Sequence, residues 1–158
     1  MESLIAELEL APHPEGGFYK RFYTSASAAL EACGGSPRPH ASSILFLLPG
    51  GGSSSLHRLR SEELWYYQAG EALTVVQLAQ DGAVTEAQVL PGRPVVVPAG
   101  ALFGAYCPKG FALVACAVVP AFKWEEFELP PREQLLREFE GKGEAARVII
   151  ERLGHRGV

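Results

Sequence analysis

Residues 51–70 read GGSSSLHRLRSEELWYYQAG, and residues 92–107 read GRPVVVPAGALFGAYC. In the first stretch Gly51, five residues, His57, one residue, Leu59, three residues, Glu63, six residues and Gly70 follow in order. In the second the order is Gly92, five residues, Pro98-Ala99-Gly100, two residues, Phe103, three residues and Cys107. Both stretches are short apolar or alternating runs closed by glycine or proline, the pattern of β-strands ended by turns. Side chains alternate faces along a strand. His57 and Leu59 therefore share one face, Glu63, Trp65 and Tyr67 a second, and Phe103, Ala105 and Cys107 a third. If His57 points inward, the three sets enclose an aromatic, partly apolar space holding one imidazole and one carboxylate. Arg58 and Arg60 then face away from it.

The neighbouring sequence extends the same texture. SILFLL, ALTVVQL, VTEAQVL and FALVACAVV are further strand candidates, and Gln80-Asp81-Gly82 is a hairpin turn between two of them. So many short strands at this spacing predict an all-β barrel or sandwich. FYKRFY, after the turn signal in HPEGG, is one more strand candidate. Residues 25–40 are small, polar and broken by Gly and Pro, which predicts an exposed loop. The ends differ. Residues 3–10 carry Leu4, Ile5, Leu8 and Leu10 at approximately helical spacing, which predicts a short helix. PPREQLLREF and GEAARVIIERL carry apolar residues at helix period with charges on the remaining faces, and so predict two helices packed on the barrel exterior. The expected organisation is one domain over residues 1–158, with a barrel over about 15–120 and a helical segment over about 130–153.

Composition narrows the classes of function. The chain has 158 residues, 47% hydrophobic and 20% charged, in the range of globular proteins. Its net charge of -4 comes with no basic block, which argues against nucleic acid as a partner. The longest apolar run, from Phe111 to Phe122, contains Pro120 and is too short to span a bilayer. MESLIAELEL lacks the basic start and apolar core of a signal peptide. Cys33, Cys107 and Cys116 are odd in number and show no C-x-x-C spacing, which predicts free thiols in a reducing compartment and a cytoplasmic location.

The two motif stretches resemble the paired motifs of the cupin superfamily. The first family motif is a glycine, five residues, His-x-His, three or four residues, Glu, six residues and Gly. The second is a glycine, five residues, Pro-x-Gly, two residues, His, three residues and Asn. The spacing agrees throughout, but Leu59 replaces the second histidine, Phe103 the third, and Cys107 the asparagine. Of the four usual metal ligands only His57 and Glu63 remain, whereas a catalytic metal site takes at least three donor side chains. HPEGGFY, HRLRSEELWYYQAG, VVVPAGALFGA and VVPAFKWEEFEL narrow the resemblance to the cupin-5 family, domain of unknown function 985, from His13 to about Phe139. That resemblance implies an all-β, double-stranded β-helix with short flanking helices, often paired as a dimer. It implies no reaction.

Three readings of His57 and Glu63 stand open. They form an acid–base pair, Glu63 orienting the imidazole; or a buried polar pair that satisfies its own hydrogen bonds; or a weak divalent-metal site completed by water or by another residue. The expected site has His57 and Glu63 as catalytic residues, with Glu15, Tyr67, Phe103, Cys107, Leu59 and Trp65 contacting the ligand. Glu15 is favoured over His13 within HPEGG, where proline and glycine also shape a turn. For Trp65, core packing competes with ligand contact, and for Cys107 so does the role of a small apolar filler. The expected function is binding of a small polar organic molecule, a sugar or nucleotide-sugar type of ligand, with no cofactor. A metal-independent epimerase or isomerase using His57 is the enzymatic form of this reading. A non-enzymatic binding or storage-like protein and a metal-dependent dioxygenase or isomerase are the alternatives. Open sheet edges and the outward-facing Leu64 and Tyr66 predict a homodimer.

Overall fold

The computed structural model describes residues 1–29 and 37–156. The chain opens with helix α1 (Glu2–Glu7), strands β1 (Ala11–Pro12) and β2 (Phe18–Thr24), and the short pair β3 (Ala28–Ala29) and β4 (Arg38–Pro39). Eight strands follow: β5 (Ser42–Pro49), β6 (Ser53–Leu59), β7 (Glu62–Gly70), β8 (Leu73–Leu78), β9 (Val84–Val89), β10 (Val95–Val97), β11 (Leu102–Tyr106) and β12 (Phe111–Val119). A 3-10 turn (Trp124–Glu126), strand β13 (Phe127–Glu128) and helices α2 (Arg132–Glu138) and α3 (Glu144–Leu153) complete it.

Two antiparallel sheets face each other. One has the order β1-β2-β5-β12-β7-β10 and the other β13-β6-β11-β8-β9. Sequence neighbours β5 and β6, β6 and β7, and β7 and β8 thus lie in opposite sheets, so the chain winds between layers as it goes. This is a β-sandwich closed into a small barrel, a cupin-type fold. The expected terminal helices are present. α2 and α3 cover the outside of the second sheet, where Leu135, Phe139, Ile150 and Leu153 pack on Leu56, Val76 and Leu102. α1 covers part of the first sheet through Leu47 and Leu113.

Burial follows strand parity. On β6, Leu56 faces the helices while His57 and Leu59 face inward. On β7, Glu63 and Trp65 are buried whereas Tyr66 is 41% exposed. The glycine closing the first motif has a steric reason to be there. Gly70 has φ +87, and a Cβ on it would stand 2.2 Å from the carbonyl oxygen of Phe111. Only glycine turns the chain out of β7 at that point.

The loop expected over residues 25–40 departs from expectation at its end. Ala28–Ala29 pairs with Arg38–Pro39, and the Arg38 side chain is buried. Its guanidinium donates to the Ala121 carbonyl, the Ser61 hydroxyl and the Glu126 carboxylate. A guanidinium offers five donors in a fixed fork, and this set of acceptors offsets its desolvation. The contacts tie the segment after β12 to the barrel. Cys33 lies outside the described residues, while Cys107 and Cys116 are buried free thiols.

Candidate active-site cavity

The interior of the barrel contains a cavity of about 270 Å³. Its wall draws on both sheets and on the two segments that cross its mouth. β6 contributes His57 and Leu59, β7 contributes Glu63 and Trp65, and β12 contributes Cys116 and Val118. The turn between β1 and β2 brings His13 and Glu15, and the segment after β12 brings Phe122, Trp124 and Phe127.

Glu15 reaches the interior because its turn lies directly on β6. The Ser55 N–H donates to the Glu15 carbonyl at 2.7 Å, and a Cβ on Gly16, at φ +112, would sit 2.3 Å from the Ser53 carbonyl oxygen. The glycine that looked like turn punctuation permits this close approach. The Glu15 side chain is 7% exposed. Its Oε1 accepts the Ser54 hydroxyl at 2.8 Å, and its Oε2 stands 3.5 Å from His57 Nε2 and 3.4 Å from His13 Nδ1.

The orientation of His57 is set by the backbone of its own strand. Nδ1 lies 2.7 Å from the Ser55 carbonyl oxygen. A carbonyl only accepts, so Nδ1 carries the proton in the neutral ring and Nε2 keeps a lone pair directed toward Glu15. Burial lowers the imidazole to a pKa of about 4, the Ser55 hydrogen bond opposing the shift. His57 is therefore a neutral base at pH 7. Its ring packs against Phe103 at 4.1 Å and Phe127 at 5.4 Å between centroids. His13 is lowered as well, first by burial, with Glu15 opposing and His57 adding to the shift.

Glu63 is raised to a pKa of about 8, chiefly by burial and then by the charge of Glu15, with Cys116 and Trp65 offsetting part of the rise. Among the described residues, its Oε2 and the Nε1 of Trp65 have no hydrogen-bond partner. The Cys116 thiol is pushed well above its ordinary range by burial, with Glu63 the next cause.

The expected site residues divide into two groups. His57, Glu63, Glu15, Leu59 and Trp65 line the cavity together. Tyr67, Phe103 and Cys107 do not. The Tyr67 hydroxyl donates to the Gly70 carbonyl at 2.8 Å. Phe103 is 1% exposed behind His57 and Trp65. Cys107 donates to the Lys109 carbonyl, and burial raises its pKa. The expected orientation of His57 by Glu63 also gives way to a different pairing. Among the described residues, the carboxylate within 4 Å of the imidazole is Glu15. The sequence reading gave no role to Cys116, Arg21, Phe122, Trp124 or Phe127. Parity along FALVACAVV carried the signal for Cys116, and the aromatic spacing of FKWEEF carried it for the mouth.

Of the four usual motif ligands, the cavity wall retains His57 and Glu63. Leu59 and Phe103 occupy two motif positions without donor atoms. Among the described residues no group of three or more His, Cys, Asp or Glu side chains is placed to hold one.

The family model for the Cupin superfamily (DUF985) matches residues 2–130. The chain belongs to that family. It is similar to the crystal structure of a protein from Shewanella oneidensis at 34% identity and TM-score 0.86, covering 99% of this chain and 98% of that one. A hypothetical protein from Leishmania major is 30% identical, with TM-score 0.84 and 98% of both chains covered. Bacillus subtilis oxalate decarboxylase shares the cupin fold at 17% identity and TM-score 0.60, over 81% of this chain and 33% of that chain. No curated protein matches the chain. Among the described residues no helix is long and apolar enough to cross a membrane.

Proposed function

We propose that this cupin binds a small polar organic molecule inside the barrel and that His57 accepts a proton from it. The supporting observation is the local pairing of His57. Nδ1 is committed to the Ser55 carbonyl, leaving an unprotonated Nε2 beside Glu15 in the cavity wall. Proximity of a ligand C–H to that lone pair is what a general base requires, and Glu15 stabilises the imidazolium that forms. Return of the proton from Nε2 to the same face gives exchange alone. Delivery to the opposite face after the planar intermediate turns epimerises the centre, and delivery to the neighbouring carbon isomerises the ligand, neither needing a co-reactant. A pKa of about 4 makes His57 a weak base on its own. A neighbouring carboxylate that ionises on ligand binding raises it toward the working range.

Size limits the ligand. Pockets that enclose drug-sized ligands run from roughly 300 to 1,000 Å³, so this cavity of about 270 Å³ suits a single ring or a chain of a few carbons. The sugar of a nucleotide-sugar fits this description, and its nucleotide would stay outside. The test is a thermal-shift screen of sugars, nucleotide-sugars and small keto acids, followed by NMR in D₂O on each compound that stabilises the protein. Exchange at a carbon next to a carbonyl is expected. Tight binding without exchange or turnover would establish the non-enzymatic alternative instead.

The same reading takes the homodimer as the working assembly. Tyr66 and Val96 are exposed on the outer face of adjacent strands β7 and β10 and provide an apolar contact. Light scattering at micromolar concentration is expected to give twice the chain mass, and a monomer would refute it.

A further inference from the structure

Among the described residues, no buried Lys or Arg stands beside the carboxyl groups of the cavity. Glu15 and Glu63 are 7% and 5% exposed, and both line it. Glu15 Oε2 faces two histidines, and burial disfavours the charged form of both. Glu63 Oε2 has no hydrogen-bond partner among the described residues. Among the described residues, the Lys or Arg lining the cavity is Arg21, exposed at the rim with its guanidinium 5.5 Å from the centre of the Phe122 ring. A solvent-exposed charge is screened and offsets little of a buried one. The remaining wall is rich in rings. Phe46 and Trp65 meet edge to face at 5.8 Å between centroids, and Phe122, Trp124 and Phe127 cluster at the mouth. Buried carboxylates without a cation, enclosed by aromatic faces, form an environment that attracts positive charge.

We infer that the ligand of this cavity carries an ammonium group, seated against Glu15 and Glu63 and walled by Phe46, Trp65 and Phe127. The inference rests on the reading that the barrel cavity is a ligand site, and it names the chemical class that site takes. A neutral sugar supplies no charge that would favour ionisation of either carboxyl group. An ammonium ion supplies the opposite charge, and the Glu63 carboxyl ionises as it enters. That ionisation releases one proton. The groups acting on Glu63 in this exchange are Glu15 from the β1–β2 turn, Cys116 on β12 and Trp65 on its own strand.

The test uses isosteres that differ in charge. Choline is titrated against 3,3-dimethyl-1-butanol, and ethanolamine against ethylene glycol, by calorimetry at pH 7 in buffers of different ionisation enthalpy. At least one cation is expected to bind ten-fold or more tightly than its neutral counterpart, with release approaching one proton. The affinity should rise up to ten-fold per pH unit toward pH 8, where Glu63 ionises unaided. Glu63→Gln should lose the preference and most of the release, and Glu15→Gln should weaken the preference. If either variant does not fold, the wild-type comparison decides alone. Equal binding of a cation and its counterpart overturns the inference and leaves the ligand-site reading standing. So does binding of sugars or keto acids with neither cation bound. Failure of every compound in both screens overturns the two together.

Discussion

The two motifs contribute unequally to the barrel interior. The first, on β6 and β7, supplies His57, Leu59, Glu63 and Trp65 to a cavity wall. The second, on β11, supplies Phe103, Ala105 and Cys107 to the packed core with Leu48, Leu73 and Val75. In register the halves touch, since Phe103 lies across from His57. A phenyl ring at a position where the family motif has a histidine turns that half of the interior into packing and leaves the other half polar. The difference teaches that matching motif spacing preserves a fold after the donor set has been lost. Spacing is dictated by turns and strand lengths, whereas donors depend on single side chains.

The comparison breaks first at Phe103. Phe103→Ala removes a fully buried ring from the packed half, and a cavity of that size costs about 3–5 kcal/mol. Urea unfolding is expected to show that loss. A cost below about 1 kcal/mol would mean that this half is not a close-packed core.

His57→Gln probes the polar half. The amide keeps polar volume, so the fold and most ligand affinity should survive. The rate of proton–deuterium exchange on the ligand should fall by about 100-fold or more, the scale of a lost general base. An unchanged rate would remove His57 from the chemistry.

A smaller effect separates the halves by pH. Glu63 is raised to about 8 from an ordinary 4.5, so between these values the folded state binds the extra proton and stability falls as pH rises. His57 is lowered to about 4 from 6.5, so across that window the unfolded state binds the extra proton and stability falls as pH drops. The two slopes oppose each other between 4.5 and 6.5, and above 6.5 the falling slope of Glu63 remains, with Glu15 raised by burial in the same direction. Stability should therefore decline by about 1–2 kcal/mol from pH 6.5 to 8. Glu63→Gln should flatten that limb, and Phe103→Ala should shift the whole curve without changing its slope. Denaturant midpoints across the pH series measure both.

The fold was legible in the sequence because it rests on repeated signals. Alternating runs, the Gln80-Asp81-Gly82 turn and the apolar faces of the last two helices each predict an element that is present. The site was only partly legible. Strand parity groups His57 with Leu59 and Glu63 with Trp65. It cannot say that the turn holding Glu15 folds onto β6, because that depends on Gly16 meeting the Ser53 carbonyl, a contact between residues far apart in the chain. Nor can it place Trp124, whose segment is held by Arg38 through Ala121 and Glu126. Parity also says which face a side chain takes but not its depth along the barrel, and depth separates Tyr67 and Cys107 from the cavity.

The most direct test of the division between a ligand half and a packed half is a crystal structure with the compound that gives the largest thermal shift. The compound is expected inside the barrel, within hydrogen-bond distance of His57 Nε2 or the Glu63 carboxyl, with Phe103 and Cys107 untouched behind the wall. Density for it only on the outer surface, such as the depression between α2 and α3 lined by Phe139 and Arg147, would contradict the account.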